Sequence, residues 1–288
     1  MDQPVPTAAL IAAADRARRL RGRVTVVKLG GSALEDPAAT AGTLDCLAAL
    51  TSLGVKLVVV HGGGKPIDRA MAEAGIEPVK IQGRRHTDDK TLAIVVRVLG
   101  EINRALAAKL EALGVPATGF AGGSPGAFPL RGERLLLPGL DLQPLDLGRV
   151  GRVATVDVEA LAACLGVALL PSLAVDADGG WLNVNADTAA SALAGALRAE
   201  GVLFLTDTPG VLLHYPDPAS RADRLARPEC DRLIAEGVIG GGMIPKVEAC
   251  FEALDAGAGR AVILDGRDPH ALLAEFVGRP RPGTEIVP

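Results

Sequence analysis

Val24-Thr25-Val26-Val27-Lys28-Leu29-Gly30-Gly31-Ser32 decides the fold, and Lys56-Leu57-Val58-Val59-Val60-His61-Gly62-Gly63-Gly64-Lys65 repeats its logic further along the chain. Each is a short, mostly apolar β-branched run that stops at a glycine cluster, which reads as a strand buried in a parallel sheet. Glycines after such a strand let backbone N–H groups approach an anion closely, and a following helix N-terminus adds favourable potential. A single cluster reads more readily as a tight turn. Two on consecutive strands sit side by side at the carboxyl edge of the sheet, where open α/β sheets bind ligands. Together they favour a phosphate-type site.

Outward from this pair, Val24–Leu29, Lys56–Val60, Val167–Leu170, Val202–Leu205 and Ala261–Leu264 are expected strands. Helices are expected near 38–53, 66–74, 87–113, 187–199 and 246–256, with Thr87 capping the long one and Gly114 and Pro116 ending it. The alternation marks an α/β fold with a largely parallel sheet. On the long helix, Leu92, Val96, Leu99, Leu106, Leu110 and Leu113 form a core stripe. Ile94, Val95, Val98 and Ile102 add more apolar surface than one face needs, so the helix is either buried on two sides or part of a homo-oligomer interface. Residues 119–156, rich in Gly, Pro and Leu, are expected to form hairpins overhanging the sheet edge. A helix beginning near Thr7 ends in the basic segment Arg16–Arg23.

Composition narrows the function. The 288 residues carry 30 Lys+Arg against 34 Asp+Glu, net −4, which advertises neither a nucleic-acid nor a membrane partner. Five Phe, one Trp and one Tyr are too few for a base-stacking surface, so Ala, Leu and Val must build the core. Cys46, Cys164, Cys230 and Cys250 show neither a C-x-x-C pair nor a metal spacing, and read as free thiols in a reducing compartment. The four histidines make no H-E-x-x-H pair, and no metal site is expected. The longest uncharged apolar stretch, Ala160 to Val175, is broken by Pro171 and Ser172, and the start of the chain lacks a signal-peptide pattern. A cytoplasmic location is the expectation.

The glycine turns are not a Walker loop, because Val59 replaces its first glycine and Pro66 its Ser/Thr, and G-x-G-x-x-G is absent. Three further clusters carry chemistry. Gly83-Arg84-Arg85-His86-Thr87 offers an arginine to clamp a carboxylate, or is a solvated basic loop. Asn183-Val184-Asn185-Ala186-Asp187 leads polar side chains into a helix. Capping by Asp187 explains the aspartate but neither asparagine. Gly240-Gly241-Gly242-Met243-Ile244-Pro245-Lys246 opens a helix with a lysine, which the macrodipole disfavours unless an anion sits beside it.

With Thr206-Asp207-Thr208-Pro209-Gly210-Val211, these motifs, in this order from Val24 onward, resemble the amino acid kinase family, and within it the branch acting on N-acetyl-L-glutamate. The resemblance implies a three-layer αβα sandwich around a mainly parallel open sheet, with β-hairpins in the N-terminal lobe. It implies a helical extension at 1–23, an acceptor-binding and oligomerising lobe at 24–198 and an ATP-binding lobe at 199–288. Lys28 and Lys246 would stabilise the transferring phosphoryl group, and Asp187 would hold both. Gly31, Gly63 and Gly64 would offer backbone N–H groups to the phosphoryl group and the acceptor, and Gly30 would belong to the phosphate site. Arg85, with Asn183 and Asn185, would bind the acceptor. Thr206, Asp207, Gly210 and Met243 would border ATP, whose phosphates carry Mg2+. The implied reaction is phosphorylation of the side-chain carboxylate of N-acetyl-L-glutamate, in arginine biosynthesis. The N-terminal helix resembles one that interlocks dimers into hexamers in arginine-inhibited relatives, but Arg16 replaces its typical tyrosine. A kinase for carrier-bound aminoadipate or glutamate and a non-catalytic amino-acid sensor remain the alternatives.

Overall fold

The structure is a computed structural model and describes residues 7–121, 125–138, 144–277 and 281–288. The first six residues of the expected N-terminal extension therefore lie outside the described residues, as does the side chain of Arg16. The chain opens with α1 (Thr7–Leu20), β1 (Val24–Leu29), α2 (Gly31–Glu35), α3 (Pro37–Ser52), β2 (Lys56–His61) and α4 (Gly64–Glu73). A small hairpin, β3 (Lys80–Ile81) and β4 (Arg84–Arg85), precedes α5 (Asp89–Ala112) and β5 (Ala117–Gly119). Then come β6 (Leu130–Pro138), β7 (Pro144–Val156), α6 (Val158–Ala162), β8 (Val167–Pro171), β9 (Leu173–Val175), β10 (Trp181–Val184) and α7 (Ala186–Ala196). The rest is β11 (Gly201–Thr206), β12 (Arg224–Ala226), α8 (Arg227–Ala235), α9 (Ile244–Asp255), β13 (Ala261–Asp265), α10 (Ala271–Val277) and β14 (Thr284–Val287).

One eight-stranded sheet runs β12-β14-β13-β11-β1-β2-β8-β5. The strands from β13 to β5 are parallel, and β14 pairs antiparallel with β13. Side chains of a strand alternate between faces, and the cores follow that period. Val26, Val58, Val60, Leu170, Val202, Phe204 and Ile263 pack with α4, α7, α8, α9 and the first half of α5. Val27, Leu29, Val59, Leu169, Leu203, Leu205 and Leu264 pack on the other face with α3, α10 and the second half of α5. Three layers result, and each fully buried Val, Leu or Phe contributes about 1.5–3 kcal/mol.

The long helix departs from its expected cap and stripe. Asp88, not Thr87, caps α5 by accepting from the Thr91 N–H. Thr87 is buried, and its backbone bonds Leu147 and Arg149. The core stripe is Val95, Val98, Leu99, Leu106 and Leu110, with Asn103 among them. Leu92 and Val96 are only half-buried and Leu113 is exposed.

The expected edge hairpins at 119–156 are one long hairpin, β6–β7, that does not stay open. β9 and β10 join it to close a four-stranded barrel in the order β10-β7-β6-β9. Closure removes exposed strand edges, and Phe128 packs edge-on against Trp181, centroids 5.0 Å apart. The barrel follows directly on β8 and thus sits at the carboxyl end of the sheet.

Small residues let helices stack closely where aromatics are scarce. A Cβ on Gly195 of α7 would collide with that of Ala256 at the end of α9. Gly195→Val is therefore expected to destabilise by about 1–3 kcal/mol through overpacking, read as a lowered urea midpoint. An unchanged midpoint would contradict that contact.

His61, at the end of β2, is completely buried, and burial lowers its pKa to about 4. The unfolded chain takes up that proton near pH 6.5 and the folded chain only near 4, so acid favours unfolding across this window. The expected loss is about 3 kcal/mol, and His61→Gln should lack it when urea midpoints are compared from pH 7 to 4.

Candidate active site

Lys28 follows Val26 by two positions on β1, so its side chain leaves the sheet on the α7–α9 face. There Lys28 Nζ lies 2.8 Å from Asp187 Oδ1, and Lys246 Nζ lies 3.6 Å from Asp187 Oδ2. Asp187 sits in the first turn of α7 and Lys246 in that of α9. Burial alone pushes the Asp187 carboxyl up, but the two ammonium groups and their hydrogen bonds overcome it and hold the pKa below the usual range. One carboxylate between two ammoniums leaves a net positive charge in a nearly dry place. The lysine at the start of α9 thus has the anion that its position demanded.

The first glycine turn reaches this charge, and the second emerges beside the first. Leu29 and His61 are register partners, so the turns emerge side by side from β1 and β2. Gly30 donates its N–H to Leu205 O at 3.1 Å. A Cβ there would stand 2.5 Å from that oxygen and 3.2 Å from Lys28 Nζ. Gly30 thus gives the site room, while its amide is already engaged. Gly31 starts α2, and Gly63 and Gly64 cap and start α4. Gly62 N–H reaches Leu29 O at 3.4 Å, tying one turn to the other.

Arg85 comes to the second turn. Its guanidinium meets Asp68 Oδ1 at 2.5 Å, Met71 Sδ at 3.1 Å and Gly64 O at 3.4 Å. Asn183 does not touch Arg85 directly. Its Nδ2 donates to Thr87 Oγ1 (3.1 Å), and Thr87 Oγ1 donates to Arg85 O (2.9 Å). Asn185 caps α7, accepting from the N–H groups of Asp187 and Thr188 at 2.8 and 3.2 Å. Capping thus belongs to Asn185 and frees Asp187 for the lysines.

Beyond Lys246 opens a cavity of about 510 Å³. Val211, Leu212, Val238, Ile239 and Met243 give it apolar walls, Asp207 and Thr208 polar groups, and Tyr215 an exposed lip. Gly210 lines it too, with φ +134 and no space for a Cβ against Thr284. Thr206 is buried, and its hydroxyl donates to Asp207 (3.0 Å) rather than entering the cavity. Among the described residues the Thr208 hydroxyl is buried without a partner.

Sequence reasoning missed Asp68 and the wall from Gly237 to Ile239, whereas Thr208 lies in the Thr206–Val211 segment that the sequence marks out. Asp68 is an ordinary helical carboxylate until Arg85 arrives from a distant hairpin, so no local signal marks it. Among the described residues no group of three or more His, Cys, Asp or Glu could hold a metal ion, and all four cysteines are free.

The sequence profile of the amino acid kinase family matches residues 23–265. The chain is 35% identical over 271 residues to the acetylglutamate kinase of Clostridioides difficile (strain 630), covering 93% of this chain and 92% of that protein. It is 40% identical over 271 residues to the acetylglutamate kinase of Prochlorococcus marinus (strain MIT 9303), covering 94% and 86%. The N-acetylglutamate synthase from Neisseria gonorrhoeae, solved with coenzyme A and N-acetyl-glutamate, has a TM-score of 0.82 at 25% identity. That alignment takes in 99% of this chain, which spans only 64% of the synthase. A carbamate kinase from Giardia lamblia shares the fold alone, with a TM-score of 0.62 at 17% identity over 92% of this chain and 98% of that one. From the first glycine turn to the end of β13, the matched sequence and the assembled charge cluster have one source: the chain belongs to the amino acid kinase family.

Proposed function

We propose that this protein transfers the γ-phosphoryl group of ATP to the side-chain carboxylate of N-acetyl-L-glutamate, a step of arginine biosynthesis. The products are N-acetyl-L-glutamyl 5-phosphate and ADP. The observation that carries the reading is Asp187 holding Lys28 and Lys246 between two glycine turns and a nucleotide-sized cavity. The end-to-end similarity to acetylglutamate kinases supports the acceptor.

ATP fits the cavity: apolar walls suit a base, the unpartnered Thr208 hydroxyl awaits a polar group, and Lys246 closes the phosphate end. The acceptor takes the other side, with Arg85 clamping a carboxylate and Asn183 steadying the Arg85 backbone through Thr87. Asp68 engages only part of the five-donor guanidinium fork. The acceptor lobe is then 24–198 and the nucleotide lobe 199–288. Mg2+ supplies charge neutralisation on the phosphates when bound, and the phosphates and water hold it.

In the reaction, a carboxylate oxygen attacks the γ-phosphorus in line as the bond to the β–γ bridging oxygen breaks, and ADP departs with that electron pair. The acceptor is already ionised at neutral pH, so no general base is required. Lys28 meets charge on the acceptor side and Lys246 on the nucleotide side. Gly31, Gly63 and Gly64 add backbone N–H groups. Positioning and fixed positive charge are the main terms in phosphoryl transfer.

Assembly belongs to the same reading. The half-buried Leu92, Ile94 and Val96 of α5 suit a homodimer contact, and exposed Ile11 on α1 suits a second contact that builds hexamers sensitive to arginine. The setting is cytoplasmic; among the described residues no helix is long and apolar enough to cross a membrane.

Acyl phosphate trapped with hydroxylamine is expected with N-acetylglutamate, and not with free glutamate, aspartate or aminoadipate. Silence with all four, in a protein that still binds ATP, would favour a carrier-bound acceptor or a sensor. Lys28→Ala and Lys246→Ala should each lower kcat about 100-fold or more with little change in unfolding midpoint, and a kcat within twofold of wild type would refute the assignment. In sedimentation velocity the full chain should be a homo-oligomer, a dimer or a hexamer. A hexamer should become a dimer no longer inhibited by arginine when residues 1–23 are removed, and a plain dimer would remove the α1 contact. A monomer would overturn both contacts.

A further inference from the structure

His61 is the one fully buried histidine, and the transfer reaction makes no use of its ring. Its Nδ1 lies 3.2 Å from Gly62 O, and its Nε2 lies 2.9 Å from Asn103 Nδ2 on α5. Asn103 Nδ2 also donates to Leu169 O on β8 at 3.1 Å. A backbone carbonyl only accepts, so the Asn103 amide nitrogen, not its oxygen, must face Leu169. That nitrogen has two hydrogens and no lone pair to offer, so its second hydrogen makes His61 Nε2 an acceptor. The proton of the neutral ring is then on Nδ1, and Nδ1–H donates to Gly62 O. The tautomer follows from the chemistry of three groups.

We infer that His61 is a positioning residue for the acceptor turn, with Asn103 selecting the ring tautomer that does the holding. The peptide unit after Gly62 contains both the carbonyl that the ring grips and the Gly63 N–H that faces the acceptor. Fixing the first aims the second. On the other side of Gly62, its own N–H is tied to Leu29 O beside the first turn. The inference rests on the acceptor reading above.

Two observations support a functional rather than a merely structural network. Asn103 Oδ1 is buried with no hydrogen-bond partner among the described residues, a condition that proteins usually avoid. The fold keeps it because the same amide must direct both hydrogens elsewhere. Space is also reserved for that oxygen: a Cβ on Gly119 of β5 would lie 2.7 Å from it. Among the described residues only burial and the Gly62 hydrogen bond bear on the His61 pKa, with no charged side chain contributing, so the ring stays neutral throughout the working range.

The test combines spectroscopy and kinetics. Long-range 1H–15N spectra of histidine-labelled wild type, with His61 assigned through His61→Gln, should show Nδ1–H at His61 and no titration from pH 5.5 to 8. An Nε2–H tautomer, or titration in that range, would overturn the inference. Asn103→Leu should raise KM for N-acetylglutamate at least fivefold and lower kcat, while KM for ATP stays within twofold. Gly119→Ala, which presses on the Asn103 amide without removing it, should shift acceptor KM in the same direction by a smaller factor and serves if Asn103→Leu does not fold. Unchanged acceptor kinetics, or equal changes in both KM values, would reduce the network to a structural role. Absent wild-type turnover would instead overturn the acceptor assignment and with it the positioning role, while the tautomer spectrum would still decide the geometry of the Asn103–His61–Gly62 network.

Discussion

The site depends on Asp187 being shared by two lysines. Burying a lone ammonium is costly, and two facing each other would repel. A single carboxylate makes their burial tolerable without cancelling them, so a net positive charge survives where a phosphoryl group would pass. The three side chains come from β1, α7 and α9, which brings distant parts of the chain to one point. Removing Asp187 would leave two buried ammonium groups unpaired, a loss of about 3–5 kcal/mol for buried pairs, whereas removing either lysine leaves the carboxylate paired with the other.

Everything around the triad is a way of bringing those elements close. The parallel register of β1 and β2 sets the glycine turns side by side. Ala- and Gly-rich α7 lets α9 approach, and the Ser191 hydroxyl bridges them, 2.7 Å from Ala249 O. Asn185 takes over the end of α7, leaving Asp187 unoccupied by capping. An aromatic core would have held these helices further apart.

Legibility followed range. The glycine turns, Lys28, Lys246 and the five central strands were readable because each is written in a handful of contiguous residues with a fixed period. Boundaries moved by one to three residues, as β11 did in taking in Gly201 and Thr206. Thr87 and Asp88 are both competent caps, and the sequence has no means of knowing that Thr87 is drawn away by the β7 backbone and Asn183. The barrel was read only as hairpins because its closure rests on pairs such as Arg131 with Val175, far apart in the chain. Short β5, β12 and β14 carry too few residues to show a period. Asp68 and Asn103 are silent for a related reason: their roles exist only once another element is packed against them.

The scarcity of aromatics has a consequence for watching this protein work. Its only tryptophan, Trp181, lies in the barrel two residues before Asn183, against Phe128. Its only tyrosine, Tyr215, is 79% exposed at the lip of the cavity. Each chromophore therefore stands beside a different half of the cleft. With acceptor and nucleotide bound as proposed, emission excited at the indole edge would report occupancy near the barrel and the phenol the opposite mouth, so the two arrivals could be timed separately without attaching a dye.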